Sequence, residues 1–321
     1  MTSDPPALGD SASPSGPPKI QSLDVSLLVV LAVVWGSAYI FIREGIVLGA
    51  SPLLFAAIRY AITAVIFGGI AWAHRESFPP RRALLVSASV GGIFIIGLYG
   101  GLLFWGEQYT TGGFASALSA TAPILTVAFA YSLLPAERFS AVALGGIALG
   151  IVGTVVLVFP DLALGSGGPA QGPLFILAAF VSTALGTVLL RRFGGGSQGL
   201  WQIGTQFVVA ALLLGAAALV LPYPESLPAT GDFWAALIAL VVFSSVVGYY
   251  IYFTLHHRIG PLRANLVTYL LPLIGIAIGS GIFGEPVTAW EIGGFVIVLA
   301  GVSLVLWPSS RAGPAPRTAD H

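Results

Sequence analysis

The 321 residues are 56% hydrophobic and only 8% charged, with a mean hydropathy of +0.94. Soluble domains carry about 25% charge, so a water-exposed globule is excluded, and 13 Lys and Arg against 13 Asp and Glu leave no net charge to draw in a nucleic acid. The lack of cysteine excludes disulfides, thiolate metal centres and cysteine nucleophiles, and four histidines offer little for a metal site, so no cofactor is expected.

Residues 1–24 begin MTSDPPALGDSASPSGPPKIQS, a stretch too poor in large apolar side chains to offset the entropy of ordering, and read as a disordered tail. Ten apolar segments follow, at 25–47, 52–73, 83–105, 112–134, 139–159, 172–190, 199–221, 233–254, 262–283 and 290–307. Each is near the ~20 residues that cross a hydrocarbon layer. The first is too long for a signal-peptide core and lacks an A-x-A cleavage site, so it is expected to remain as a span. In lipid every such segment must be a helix, because nothing else satisfies the main-chain amides. The turns FPPRR, LPAE and YPESLPATGD carry the Pro, Gly and charge expected where chain meets water. Residues 309–321, SSRAGPAPRTADH, form a second polar tail. The expected fold is an all-α membrane protein of ten transmembrane helices.

Lys and Arg are retained on the cytoplasmic side of a membrane. With the N-terminus inside, the inner segments hold Lys19, Arg75, Arg81, Arg82, Arg138, Arg191, Arg192, Arg258, Arg263, Arg311 and Arg317, while the outer loops hold only Arg43. Both termini are therefore expected to be cytoplasmic. Trp72, Trp105, Trp201, Trp234, Trp290 and Trp307 fall near segment ends, as headgroup-level rings do, and only Trp35 sits at mid-span.

The stretch from Glu137 to Pro160 can be laid without a gap on Glu285 to Pro308, matching Gly145, Gly146 and Gly153 with Gly293, Gly294 and Gly301. A shift of one residue also matches Pro123 with Pro272. A duplication divides the chain into halves at 25–160 and 171–308 with five helices each. An odd number of spans inverts the second half relative to the first, the arrangement of many secondary transporters.

No Asp, Glu, Lys or His lies near a span centre, so an intramembrane hydrolase or metalloenzyme has no groups to work with and the protein is not expected to be an enzyme. Coupling to protons would have to use peripheral acids such as Glu44, Glu107 or Glu137. Arg59 is the one clear intramembrane charge. Either it snorkels to the headgroups or pairs with Glu44 or Glu107, or it faces a wet cavity as a carboxylate-binding group.

In VVWGSAYIF, Trp35 and Ser37 flank a helix-loosening Gly36, and Tyr39 lies one turn from Trp35 on the same face. Pro123 and Pro272 each deprive a mid-span carbonyl of its donor, which is either a tolerated kink or a paired break at a binding site. Tyr99, Gln206, Ser244, Ser245, Tyr249, Tyr250, Asn265, Thr268 and Tyr269 add polarity at depth, as interhelical glue or as lining. The expected substrate cavity comprises Trp35, Ser37, Tyr39, Arg59, Tyr99, Pro123, Gln206, Tyr249, Tyr250, Tyr269 and Pro272. Glu107, Glu137 and Glu285 are the helix-end acids. The pairs Gly97/Gly101, Gly146/Gly150 and Gly275/Gly279 have GxxxG spacing and read as packing faces.

The segments VVWGSAYIFIREG, AAIRYAITA, WGEQYTTGGFASALSATAPILTVAFAYSLLPAERFS and RIGPLRANLVTYLLPLIGIAIGSGIFGEPVTAWEIGG resemble the drug/metabolite transporter superfamily, specifically its EamA-type ten-helix members. The resemblance covers nearly all of residues 25–308 and says little about substrate. It implies a pseudosymmetric bundle, a central cavity, alternating access and frequent export of amino acids or other small metabolites. The family's mid-helix prolines map onto Pro123 and Pro272, its helix-end glutamates onto Glu137 and Glu285, and its second-helix arginine onto Arg59. The sixth segment, AAFVSTALGTVLLRR, departs from the pattern in having no WGS-like motif.

The expected function is a multi-pass secondary transporter in the cell membrane that exports small neutral or zwitterionic metabolites such as amino acids. Phosphorylated solutes would want a cluster of basic groups at depth, which Arg59 alone does not supply. A channel-like facilitator, a transporter of hydrophobic or cationic drugs and a membrane scaffold are the alternatives. The expected partners are a small-molecule substrate and the lipid bilayer, with no nucleic acid and with a homodimer left open.

Overall fold

The computed structural model describes residues 21–134, 141–159, 171–194, 199–221, 226–259, 264 and 267–305, and every regular element among them is helical. The helices are α1 (Ser22–Val47), α2 (Pro52–Ala73), α3 (Arg81–Gly106), α4 (Gly112–Leu133), α5 (Ala141–Phe159), α6 (Gln171–Gly194) and α7 (Leu200–Val220). Next comes α8, built from three consecutive pieces, Gly231–Ala239, Leu240–Val247 and Gly248–Ile259, and then α9 (Val267–Ile282) and α10 (Ala289–Val305). Of these, α1 to α4 and α6 to α8 are long and apolar enough to cross a membrane, while α5, α9 and α10 contribute shorter apolar helices.

Three of the rods are irregular, and the irregularities place the polar groups. Residues Ser87–Leu98 of α3 and Leu240–Val247 of α8 are π-helical, a wider coil that is associated with functional sites. In each π segment a main-chain carbonyl accepts a side-chain donor from another helix. Trp35 Nε1 of α1 donates to the Ser244 carbonyl at 3.0 Å, and Ser182 Oγ of α6 donates to the Phe94 carbonyl at 2.9 Å.

The third irregularity is a 3₁₀ turn at Ser119–Thr121 in α4, immediately ahead of Pro123. Hydroxyls spaced along SALSAT stabilise it: Ser116, Ser119 and Thr121 each donate to the carbonyl three residues back, at 2.6, 2.6 and 2.8 Å. Such bonds offer the carbonyls a local alternative to the i→i+4 ladder. Pro272, by contrast, lies inside the continuous α-helix of α9. The two prolines thus occupy different surroundings: Ser116, Ser119 and Thr121 precede Pro123, whereas Thr268 and Tyr269 are the hydroxyls of VTYLLP.

Helix α1 packs against α8 and α9, and α6 packs against α3 and α4; α2 pairs with α7 and α5 with α10. The α5–α10 contact is set by glycines. A methyl group at Gly153 would sit 2.9 Å from the Gly294 carbonyl, and one at Gly301 would sit 2.7 Å from the Gly146 carbonyl. Both approaches leave no room for a Cβ, as close helix packing in membranes requires. These pairings also make α5 and α10 antiparallel.

At one end of the molecule Arg258 Nε meets Asp24 Oδ1 at 2.6 Å, and the Leu200 amide donates to Glu76 Oε2 at 3.1 Å. At the other, the Ser51 amide donates to the Ser226 carbonyl at 2.9 Å. These are called below the Asp24 end and the Glu107 end. Between them a core of Phe55, Phe104, Phe207 and Phe233 is fully buried or nearly so.

Candidate functional site

Arg59 belongs to the face of α2 that turns toward α7 and α8. It is only 8% exposed, its Nη2 donates to Ser244 Oγ at 2.9 Å, and its Nε has no hydrogen-bond partner. The guanidinium lies 5.5 Å from the centre of the Tyr60 ring and 5.9 Å from that of Phe104, within cation–π range. No acid among the described residues forms an ion pair with it. The head group is therefore held inside the bundle, and neither snorkelling nor pairing with Glu44 or Glu107 describes it.

Ser244 joins Arg59 to Trp35. Its hydroxyl takes the guanidinium and its carbonyl, freed by the π segment, takes the indole. Trp35 in turn meets Tyr249 edge-on at 5.8 Å and Tyr252 at 5.1 Å. Tyr249 continues the aromatic wall to Phe67 and Phe207, at 6.0 and 5.7 Å. Arg59, Trp35, Ser244 and Tyr249 are thus brought together from three helices, α1, α2 and α8.

Other expected lining residues stand elsewhere. Tyr39 and Tyr99 have their hydroxyls 3.4 Å apart, a second polar pair between α1 and α3. Ser37 donates back to its own helix, to Val34 O at 3.1 Å. Gln206 is buried and donates to Ser87 Oγ at 2.8 Å, at the start of the π segment in α3. Tyr269 packs on the main core, Pro123 is half-buried and Pro272 buried. Tyr250 is 74% exposed, whereas its neighbour Tyr249 is half-buried.

Among the helix-end acids, Glu285 reaches across to the start of α4, where its carboxylate oxygens accept the Gly112 and Gly113 amides at 3.0 and 2.8 Å. This satisfies donors that a helix N-terminus otherwise leaves open. Glu107 directly follows α3 and is fully buried, with no partner for either carboxylate oxygen. Burial is the main reason that its carboxyl is held well above the usual range. Glu137 lies outside the described residues.

Sequence reading did not single out Tyr60, Phe67, Phe104, Phe207, Tyr252 or Ser182. One signal was available for two of them: Tyr60 and Phe67 are seven residues apart, so they share a face of α2 with the site. Among the described residues no group of three acids or histidines is placed to hold a metal ion.

Apolar helices long enough to cross a lipid layer, folded around a buried guanidinium and an aromatic wall, define a multi-pass membrane protein with a charged site at depth. The chain belongs to the EamA-like transporter family, within the drug/metabolite transporter superfamily; the family model matches it twice, at residues 23–159 and 170–307. It is 29% identical to the uncharacterized transporter YvbV of Bacillus subtilis over 87% of this chain and 90% of that one. It is 26% identical to the uncharacterized inner membrane transporter YedA of Escherichia coli, over 88% and 92% of the two chains. It is also 26% identical to a probable amino-acid metabolite efflux pump of Salmonella typhimurium, over 87% and 93%. A solved crystal structure shares the fold with a TM-score of 0.59 at 19% identity, covering 89% of this chain and 97% of the other.

Proposed function

We propose that this protein is a secondary transporter of ten transmembrane helices that exports small neutral or zwitterionic metabolites, amino acids foremost, by alternating access through a cavity at Arg59, Trp35, Ser244 and Tyr249. The observation that carries this reading is Arg59, a buried cation with a free Nε donor and no acid among the described residues paired with it. Burying an uncompensated charge is costly; a substrate carboxylate would complete it through the parallel N–H donors that only a guanidinium offers. The aromatic wall beside it suits the apolar part of such a solute. The same positive charge argues against cationic drugs as the principal substrates.

Two sets of contacts support halves related by inversion. The bond from Trp35 to Ser244 O has a counterpart in that from Ser182 to Phe94 O, with the roles of the two halves exchanged. Gly153 against Gly294 is likewise mirrored by Gly301 against Gly146, between helices that run antiparallel. In this reading the Glu107 end faces outward and both termini are cytoplasmic.

Counterflow in proteoliposomes preloaded with a mixture of L-amino acids tests the function. Accelerated uptake of a labelled member of that mixture is the expected result. Equal flux with and without the internal load would indicate a channel, and no flux of any amino acid would overturn the substrate class. A cysteine replacing Ser226 should react with an impermeant maleimide from outside the cell, and the opposite labelling would reverse the orientation.

A further inference from the structure

We propose that Glu107 is a proton-operated latch at its end of the transporter, deprotonated when that end opens and reprotonated before it closes, an assignment that rests on the transporter reading above. The geometry is unusual for a carboxylate. Glu107 is fully buried at the end of α3, and neither of its side-chain oxygens receives a hydrogen bond.

Four charged or titratable groups face it: Arg43 and Tyr39 from α1, Arg59 from α2, and Glu285 from the segment before α10. None of them donates a hydrogen bond to the Glu107 carboxyl. Arg43 Nη1 donates to the main-chain carbonyls of Glu107 and Gln108, at 2.9 and 3.4 Å, rather than to the carboxylate. Arg59 is bonded to Ser244, Tyr39 is paired with Tyr99, and Glu285 holds the Gly112 and Gly113 amides. Glu107 is left with a second acid nearby, no donor and no contact with solvent. A carboxyl in such surroundings is pushed toward its neutral form, because burial penalises the charged form by more than the nearby Arg43 and Arg59 guanidinium groups offset.

The contacts that seal it are local ones that a conformational change at this end would part. Gly106 lies against Ile176 and the Gly172 carbonyl of α6, and Glu285 clamps the start of α4. When the Glu107 end opens, water reaches the carboxyl, its O–H bond breaks, the proton passes to water and the carboxylate is left charged and hydrated. Closure requires that the proton be regained, since the charged form is excluded from the sealed site. The proton is returned from the side that received it, so the pH at the Glu107 end sets how readily that end opens and closes.

Two measurements on the full chain in lipid test this. Difference infrared spectroscopy at neutral pH should show a protonated-carboxyl band that Glu107→Gln abolishes and Glu285→Gln retains; no Glu107-dependent band would overturn the proposal. In proteoliposomes loaded with the L-amino acid mixture, an imposed pH gradient should change the efflux rate of the unmodified protein. Glu107→Gln should lose that response while counterflow remains measurable, and Glu107→Asp, which keeps the carboxyl, should recover it. A gradient response unchanged in Glu107→Gln overturns the proton assignment, as does loss of counterflow together with the response, which would make Glu107 a substrate contact. Counterflow missing from the unmodified protein would instead overturn the transporter reading, with the infrared band still deciding the protonation of Glu107.

Discussion

The two ends of the bundle treat charge in opposite ways. At the Asp24 end, Arg258 and Asp24 neutralise each other at 2.6 Å, Gln21 adds a bond at 3.2 Å, and Arg258 keeps part of its surface in solvent. Toward the Glu107 end, Arg59 and Glu107 are both buried, close enough to influence one another, and yet unpaired. A partly solvated ion pair holds helices together at little cost. A buried cation without an acid beside it and a carboxyl forced toward its neutral form are both costly to the resting protein, and such residues inside membranes are typically retained for function. The difference is that between a solvated clasp and a buried, unneutralised cluster of the kind proposed here as the transport site.

The sharpest way to break this comparison is Arg59. Arg59→Ala should lower amino-acid exchange about a hundredfold, equivalent to about 2.8 kcal/mol, and Arg59→Lys should recover little of it because an ammonium lacks the planar pair of donors. Full activity of Arg59→Lys at normal membrane levels would reduce Arg59 to a structural cation. Because Glu107 is already unpaired, the loss in Arg59→Ala should be one of transport rather than of assembly.

Trp35 should come next. Trp35→Ala removes both the bond to the Ser244 carbonyl and the contacts with Tyr249 and Tyr252, and exchange should fall about tenfold, or about 1.4 kcal/mol. Trp35→Phe keeps a ring and loses only the donor, so its exchange rate should lie between the two. Identical rates for all three would show that the opened carbonyl of the π segment is not part of the site.

Glu107 should appear in stability as a function of pH. Its ordinary value is 4.5, and burial raises the folded-state value well above this. Below pH 4.5 the folded and unfolded chains both hold the proton, and the contribution to stability is complete. As pH rises the unfolded chain ionises first, so stability is lost until the folded carboxyl ionises as well. Thermal melts in detergent should therefore find Glu107→Gln more stable than the unmodified protein at alkaline pH, with the advantage vanishing in acid. An advantage independent of pH would show that Glu107 is ionised in the folded protein.

Asp24→Asn should have the smallest effect. It leaves Arg258 partly exposed and able to find water, so a slight loss of thermal stability with unchanged exchange is expected. A transport defect there would mean that the Asp24 end is a gate rather than a clasp.

The GxxxG spacing read from Gly146/Gly150 was informative, since Gly301 closes on both residues. Arg59, too, stood out in sequence as an isolated charge in an apolar run. Its surroundings did not: whether a long flexible head reaches the headgroups or turns inward depends on which helix lies beside it, and only the position of α8 supplies Ser244. Tyr249 and Tyr250 look equivalent in YYIYF, yet about 100° of helical rotation between consecutive residues places one against Trp35 and leaves the other exposed.

Length, hydropathy and the run of ten apolar segments determine that this chain is a helical membrane protein, because lipid offers the main chain no other way to satisfy its hydrogen bonds. The glycine and proline matches between 137–160 and 285–308 suggest two related halves. Tertiary structure decides the rest. The π segments of α3 and α8, the break before Pro123 but not at Pro272, and the joining of Trp35, Arg59 and Ser244 all involve partners 88 or more residues apart or local competition for carbonyls. The apolar pattern reports how strongly each helix prefers lipid to water, whereas the choice of hydrogen-bond partner at depth is made by the neighbour that packing brings within about 3 Å.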